Sequence, residues 1–594
     1  MEELGVDISG QVSEHIDAYV EQPFDSVVAT CDCARERYPS FPGATEPIRQ
    51  VFEDPSSAAG TDEEILAALR QIRNDNRSVD RSDIQAEPRV SAKCKPLGER
   101  WKVADLRRRG ILADPTYRRG DIRGDRMSYD YDVCVIGLGP AGMAVAVMAS
   151  EMGLSVLGVE ERSLGGECMS VGCIPSKSLL RTAHLRHAVS RFDEYALTPM
   201  DPPSPVQPFT KIAEHLQYID EKKTSKMFEK VDLRLREGPA SFVDPHTVEV
   251  AGKRYAAKKT FLCVGSRPAV PPIPGLDRTE YLTNETVFSL DEVPESLIVL
   301  GGGAIGCELG QAFRRLGSRV TIVHMDRHLL PHGDPDAGRL LEDVFEHEGI
   351  AVYNGRTIQR VSDEHGLIDV RLDGGDSLRA QRLLIAAGRT YDFSALQLDR
   401  AGVRYSKAGI QVDRWLRTSQ SHIYAPGDCN GSYLFSHAAM HQGMLALMNT
   451  MLPRPLRRDY RRYVVPWSVF TEPQIAHVGW LEGDLRERDV PYEVHEAKYA
   501  DYGAAIAEGI PVGSVRAYVL PSGRVLGARI IGEGASEMIN EWGLAIQNRI
   551  RIHKIMFLQH AFPSMSFLTK RVAESWMMKR MQNPTLRRLA KWRF

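Results

Sequence analysis

Two stretches 164 residues apart follow the same order, and together they limit the fold more than anything else in the chain. The first opens with the apolar run Tyr131-Asp132-Val133-Cys134-Val135-Ile136. It continues through Gly137-Leu138-Gly139-Pro140-Ala141-Gly142, a helical segment from Ala144 to Met152, and a second run, Val156-Leu157-Gly158-Val159, that ends on Glu160. The glycines permit a tight turn and a close backbone approach to a pyrophosphate at a helix N-terminus. An acid 23 residues after Gly137 can take a ribose hydroxyl pair. The second stretch is Ser296-Leu297-Ile298-Val299-Leu300, then Gly301-Gly302-Gly303-Ala304-Ile305-Gly306, a helix through Phe313, and Val320-Thr321-Ile322-Val323. Two such units predict an α/β chain with two Rossmann-like domains that hold two dinucleotides. His324 stands where the first unit has Glu160. An acid there favours the free 2′-hydroxyl of NAD, whereas a histidine beside Arg327 and His328 tolerates a 2′-phosphate. Asp326 acts the other way, and the balance leans to NADPH.

Shortly after the first glycine loop comes Gly165-Gly166-Glu167-Cys168-Met169-Ser170-Val171-Gly172-Cys173-Ile174-Pro175-Ser176-Lys177. A cysteine pair beside a dinucleotide site suggests a dithiol/disulfide that trades electrons with a flavin. Two buried structural cysteines, or a metal site, are the other readings. No further Cys/His cluster accompanies the pair, so no metal is expected. The thiolate is the working form of such a pair and needs a positive site nearby.

The remaining text organises around these units. Phe261-Leu262-Cys263-Val264-Gly265-Ser266-Arg267-Pro268 and Leu384-Ile385-Ala386-Ala387-Gly388-Arg389 read as strands that cross between the nucleotide domains. Ile423-Tyr424-Ala425-Pro426-Gly427-Asp428 is a third strand end. Its Asp428 is placed to hold a flavin ribityl hydroxyl or to cap the following segment. After Arg461, alternating runs at 464–470, 515–520 and 525–532 with helices from Ala535 to Gln547 and after Pro563 predict a mixed α+β domain. A length of 594 residues and a net charge of −3 fit several globular domains with no global pull toward nucleic acid. There is no apolar run of membrane-spanning length and no signal-peptide pattern, and nine cysteines do not make a secreted disulfide scaffold, so a cytoplasmic location is expected.

From about Tyr129 to Ala573 the chain resembles the class I pyridine-nucleotide disulfide oxidoreductases, the group of dihydrolipoyl dehydrogenase, glutathione reductase and mercuric reductase. The motifs come in family order: the first glycine loop, Gly-Gly-Glu-Cys-x4-Cys-Ile-Pro-Ser-Lys, the second glycine loop, then Ala-Pro-Gly-Asp. The resemblance implies FAD on the first unit (Gly137, Gly139, Gly142, Glu160, with Lys177, Gly427 and Asp428). It implies NAD(P)H on the second (Gly301, Gly303, Gly306, His324, with Gly388), and a homodimer. It makes Cys173 the flavin-side charge-transfer thiol and Cys168 the outward interchange thiol. Lys177 approaches the flavin and pairs with Glu308. The implied domains are an FAD domain at 128–290 and 394–458, an NAD(P) domain at 291–393, and a dimerisation domain with a basic tail at 459–594. Residues 1–75 resemble the latter half of low-molecular-weight-phosphatase-type arsenate reductases, a short α/β remnant in which Cys31 matches that family's second redox cysteine and Tyr38 replaces its third. Its phosphate loop and nucleophile are absent. A basic linker at 76–127 joins the two parts.

The C-terminal segment departs from the disulfide reductases, which carry His-Pro-Thr and a later glutamate there. This chain reads His560-Ala561-Phe562-Pro563-Ser564-Met565-Ser566-Phe567, with Phe562 in place of the acid–base histidine and Phe567 in place of the glutamate. His560 is either a substitute or an interface residue. Mercuric reductases carry an aromatic at the Phe562 position too, but their C-terminal cysteine pair has no counterpart after Cys429. The expected activity is therefore electron transfer from NAD(P)H through FAD and Cys168–Cys173 to a disulfide, metal ion or small oxidant. Alternatives are a diaphorase, quinone-reductase or transhydrogenase flavoprotein, and a non-catalytic flavin sensor. The tail after Trp576 carries Lys579, Arg580, Arg587, Arg588, Lys591 and Arg593, and is either a packed or frayed end or a contact with an anionic membrane surface.

Overall fold

The computed structural model describes residues 129–594 and, before them, two short strands, Val28–Ala29 and Ile48–Arg49, which pair in parallel with Val28 opposite Ile48. Residues 1–124 form a unit of their own. The arsenate-reductase-like calls, Cys31 included, and the linker lie outside the described residues.

Each glycine-loop unit has four parallel strands in the same order, and the first extends them with an antiparallel pair. In the first, β1 (Tyr131–Ile136), α1 (Pro140–Glu151) and β2 (Val156–Glu160) follow one another, then α2 (Gly166–Ser170), α3 (Cys173–Val189), β3 (Asp232–Leu235) and the antiparallel strands β4 (Ser241–Asp244) and β5 (Thr247–Val250) leading to β6 (Lys253–Leu262). The sheet order is β3-β2-β1-β6-β5-β4. All five residues of β2, and Val133 to Ile136 of β1, are buried, as a strand covered on both faces requires. The second unit comprises β7 (Ser296–Leu300), α4 (Ala304–Leu316), β8 (Arg319–His324), β9 (Ala351–Asn354) and β10 (Arg382–Ile385), ordered β9-β8-β7-β10 and parallel throughout. Both helices start earlier than their apolar text suggests, at Pro140 and Ala304. The last glycine of each loop is already helical, so the phosphate loop and the helix N-terminus are one structure.

The crossings are short. Arg267–Pro268 pairs antiparallel with Arg389–Thr390, so the two exits from the first unit and back to it lie side by side. β11 (Ile423–Tyr424) then adds in parallel to β6, and α5 (Ser436–Met451) lies on α1. That contact is close because Gly443 has no side chain; a Cβ there would stand 2.4 Å from the Ala141 carbonyl oxygen.

The last domain is a five-stranded antiparallel sheet of β12 (Trp467–Val469), β13 (Ile475–Gly479), β14 (Glu493–Lys498), β15 (Ser514–Val519) and β16 (Val525–Ile531), ordered β12-β13-β16-β15-β14. Helices α6 (Ala535–Gln547), α7 (Phe567–Met581) and α8 (Pro584–Arg593) follow. One apolar core joins three parts of the fold: Leu179 and Ala183 of α3, Leu309 and Phe313 of α4, and Val469, Ile475 and Ile531 of the sheet. Each of the larger of these side chains contributes roughly 1.5–3 kcal/mol, which clamps α3 against α4. Among the described residues no helix is long and apolar enough to cross a membrane.

Candidate active site

Both glycine loops open onto one cavity of about 1730 Å³ that runs past Cys168, Cys173 and Lys177. Glu160, Glu308, His324, Gly388, Gly427 and Asp428 also line it. Gly142 and Gly306 do not. They stand behind their loops, where a Cβ would lie 1.9 Å from the carbonyl oxygens of Gly137 and Gly301 respectively, so they serve the packing of helix on strand. Gly303, by contrast, would meet nothing within 4 Å. The open face at that position fits a pyrophosphate, and with Gly137 at φ +87° the first loop makes the same turn.

The two residues that end the second strands do one job with different chemistry. The Glu160 carboxylate accepts the backbone N–H of Leu138 at 2.7 Å and that of Arg162 at 2.8 Å. At the matching place His324 Nδ1 accepts the N–H of Gly302 at 3.0 Å. Since Nδ1 accepts, the ring proton sits on Nε2, which has no hydrogen-bond partner among the described residues and lies 3.4 Å from an Asp326 oxygen. Burial pushes His324 below the ordinary histidine range, so the imidazole is neutral. It is a buried structural acceptor rather than a solvated strand end.

Lys177 and Glu308, 131 residues apart, meet at 2.8 Å because α3 and α4 share a core. The other Glu308 oxygen accepts the N–H of Phe470 at 2.9 Å, and the Lys177 ammonium sits 4.2 Å over the Phe470 ring. The last domain thus fixes the pair from a third side. Phe470 carries no signal in sequence that points to the site. Arg389 does, as a strand-end arginine after Gly388. It donates to Glu167 at 2.6 Å and to Ser266 at 2.9 Å, and Ser266 donates to Asp428 at 3.1 Å. This chain of contacts ties the residue before Cys168 to Asp428. Burial raises the Asp428 carboxyl, and its side chain turns to Ser266 instead of capping the turn that follows.

Cys168 lies in the single turn α2 and Cys173 is the first residue of α3, so Gly172 and Val171 alone separate the two helical segments. Both are free thiols in this structure. Ser436, the first residue of α5, stands with its hydroxyl 3.4 Å from Cys173 Sγ. Two helix N-termini therefore converge on one sulfur, which favours its anion. The hydrogen bond from Cys168 is the largest influence on the Cys173 thiol. Burial opposes it, Ser436 and Lys177 assist, and the result is a fall from 9.0 to about 6. Cys168 moves upward, chiefly because it faces that thiolate. In the reduced protein, alkylation of Cys173 should therefore titrate near pH 6. Ser436→Ala removes a donor to the anion, so the midpoint should rise; a rate–pH profile with iodoacetamide that does not move would refute the contact.

The C-terminal residues stay outside the cavity. Phe562 is 71 % exposed and stands edge-on to Phe567, with ring centroids 5.4 Å apart. His560 Nε2 contacts both Glu541 oxygens, at 3.1 and 3.2 Å, and its Nδ1 is buried without a partner among the described residues. Among the described residues no cluster of His, Cys, Asp and Glu could hold a metal ion.

Comparison with known proteins gives two family matches. Residues 131–443 match the family described as pyridine nucleotide-disulphide oxidoreductase, and residues 465–571 match its dimerisation domain. The mercuric reductase of Bacillus cereus is 32% identical over 72% of this chain and 69% of its own length. The dihydrolipoyl dehydrogenase of Bacillus subtilis is 31% identical over 70% of this chain and 92% of its own. Among solved structures, the HOCl-induced flavoprotein disulfide reductase RclA from Escherichia coli superposes with a TM-score of 0.67 at 26% identity, covering 75% of this chain and 100% of RclA. Its Cu(II) complex gives 0.68 over 76% of this chain.

Proposed function

This chain belongs to the pyridine nucleotide-disulphide oxidoreductase family, and on that premise we propose that it passes electrons from NADPH, through the Cys168–Cys173 pair, to a thiophilic metal ion or other small oxidant. Family membership makes it an FAD-dependent enzyme with a redox-active disulfide and a dimerisation domain. In this reading the FAD domain spans 128–290 and 394–458, the NAD(P) domain 291–393, and the dimerisation domain with its tail 459–594.

FAD, when bound, supplies hydride acceptance from the nicotinamide and delivery of the electron pair to a disulfide. The chain's own residues do the rest. The glycine loops present backbone N–H groups to the two pyrophosphates. Glu160 takes the FAD ribose and Asp428 its ribityl chain. Lys177, held by Glu308 and Phe470, brings a cation to the flavin side of the cavity, where negative charge develops on reduction. Ser436 and the two helix N-termini hold the proton off Cys173, leaving Cys168 as the group that meets the acceptor.

The observation that carries the choice of acceptor is the aromatic pair Phe562 and Phe567, which takes the place of the histidine and glutamate of disulfide reductases. Reducing a disulfide to two thiols consumes two electrons and two protons. The same two electrons take one Hg(II) to Hg(0), or two Cu(II) to Cu(I), and neither reduction consumes a proton. A site without its proton donor suits the second demand. The likeness to mercuric reductases, and the Cu(II) complex of RclA, support the same choice. The lean to NADPH rests on His324, which puts a neutral ring where a carboxylate would repel a 2′-phosphate. It also rests on Arg327, exposed and without an ion pair among the described residues.

The test is anaerobic reduction of the holoenzyme with NADPH and NADH in parallel, followed by turnover with Hg(II), Cu(II), small disulfides and quinones. NADPH should have the lower KM, and Arg327→Ala should remove the difference. The metal ions should turn over faster than the disulfides. Equal rates with quinones after Cys168→Ser would instead make the protein a diaphorase.

A further inference from the structure

We propose that α8 is a docking element for an anionic lipid bilayer. The helix follows Asn583, whose side chain accepts the N–H of Thr585 at 2.8 Å, and Pro584 stands at its first turn; it is a capped helix rather than a frayed end. It lies beyond residue 571, where the match to the dimerisation family ends. None of its ten residues is buried.

The helical repeat sorts its side chains. Leu586, Leu589 and Ala590 recur at i, i+3 and i+4 on one face, and Arg587, Arg588 and Lys591 occupy the other; Arg593, four residues after Leu589, falls at the end of the apolar row, where its long side chain can reach the headgroups. Leu586 and Leu589 are 50% and 56% exposed, Trp592 is 77% exposed, and Phe594 ends the chain in solvent. A solvated helix gains nothing from that row, whereas a helix lying in a membrane interface buries it to the depth of the headgroups.

Charge selects the kind of surface. From Trp576 to Phe594 there are six cations and no carboxylate. Lys579 and Arg580 are engaged with Glu493. Arg587, Arg588, Lys591 and Arg593 have no ion pair among the described residues. Four such cations strengthen binding to an anionic leaflet by up to about a thousandfold over a neutral one. Neither a partner helix, which would bring its own carboxylates, nor a nucleic acid, which offers no hydrocarbon, accounts for both faces together.

The experiment uses the full-length holoenzyme in co-sedimentation with phosphatidylcholine vesicles and with vesicles rich in phosphatidylglycerol. It should pellet only with the second, and release in about 1 M salt, where the screening length is roughly 3 Å. The variant Leu586→Glu/Leu589→Glu and the variant Arg587→Gln/Arg588→Gln/Lys591→Gln should each lower the bound fraction at least tenfold while NADPH oxidation stays unchanged. Binding that survives both variants, or that is equal on the two lipids, would overturn the proposal. So would a fall in assembly mass on removing the leucines, which would assign the apolar row to a second copy, or retention by duplex DNA without retention by vesicles.

Discussion

Cys168→Ser should lower acceptor reduction by on the order of 10³-fold or more, while NADPH still bleaches the bound flavin under anaerobic conditions. The reason is the division of labour between the two sulfurs. Cys173 lies where two helix N-termini, Ser436 and Lys177 favour the thiolate, and Cys168 is the protonated partner that donates to it. A serine at 168 keeps that hydrogen bond but has no sulfur to carry electrons outward. The half-reaction with NADPH should survive; the long-wavelength charge-transfer absorbance of a Cys173 thiolate against oxidised flavin should be present before NADPH is added and vanish as the flavin bleaches. Cys173→Ser should abolish both turnover and that absorbance. The two variants therefore fail differently, and stopped-flow spectra separate them. Unchanged turnover of Cys168→Ser with every acceptor would remove the pair from the mechanism.

The second large effect is a gain. Phe562→His combined with Phe567→Glu should raise the reduction of small disulfides by about 10²–10⁴-fold, the usual worth of a positioned general acid. It should leave metal-ion reduction almost unchanged, since that half-reaction consumes no proton. Phe562 is largely exposed, so its replacement forfeits little beyond one aromatic contact of about 0.5–1.5 kcal/mol. An assay with both acceptor classes on the same preparation decides it. If disulfide turnover stays flat in a variant that keeps its FAD and its dimer mass, then proton supply is not what Phe562 removed. His560, already held by Glu541, would be the next donor to examine.

Much of this site can be read from the residues in order, because its parts are local. A glycine loop, its strand and its terminal acid fall within 24 residues, and the cysteine motif is one continuous stretch. The doubled nucleotide grammar follows from the same short-range pattern. Lys177 and Glu308 could be paired in advance only through the family likeness. Their meeting depends on Leu179 and Phe313 sharing a core, which no spacing reveals. Ser436 was missed for the same reason, since 263 residues separate it from Cys173 and nothing about a lone serine marks it. Phe470 acts through its backbone N–H, a group every residue but proline carries, and through a ring that meets Lys177 only in the fold, so its role is invisible before folding. His324 shows a subtler limit. Spacing located it beside the second loop, but only the structure shows it accepting the Gly302 N–H through Nδ1 and hence staying neutral.

The cysteine loop rests on the first glycine loop. Gly165 donates its N–H to the Leu138 carbonyl at 2.9 Å, and a Cβ on Gly166 would stand 2.8 Å from the Gly139 Cα. The two loops are therefore packed as a unit, because a side chain at 166 would push on the very turn proposed to receive the pyrophosphate. Grafting the redox motif onto another dinucleotide fold would fail unless both loops travelled together. By the same contact, a shift of the first glycine turn would press on Gly166, two residues before Cys168. Limited proteolysis near Gly165 with and without added FAD should therefore show slower cleavage when the turn is filled; equal rates would mean that the contact transmits nothing.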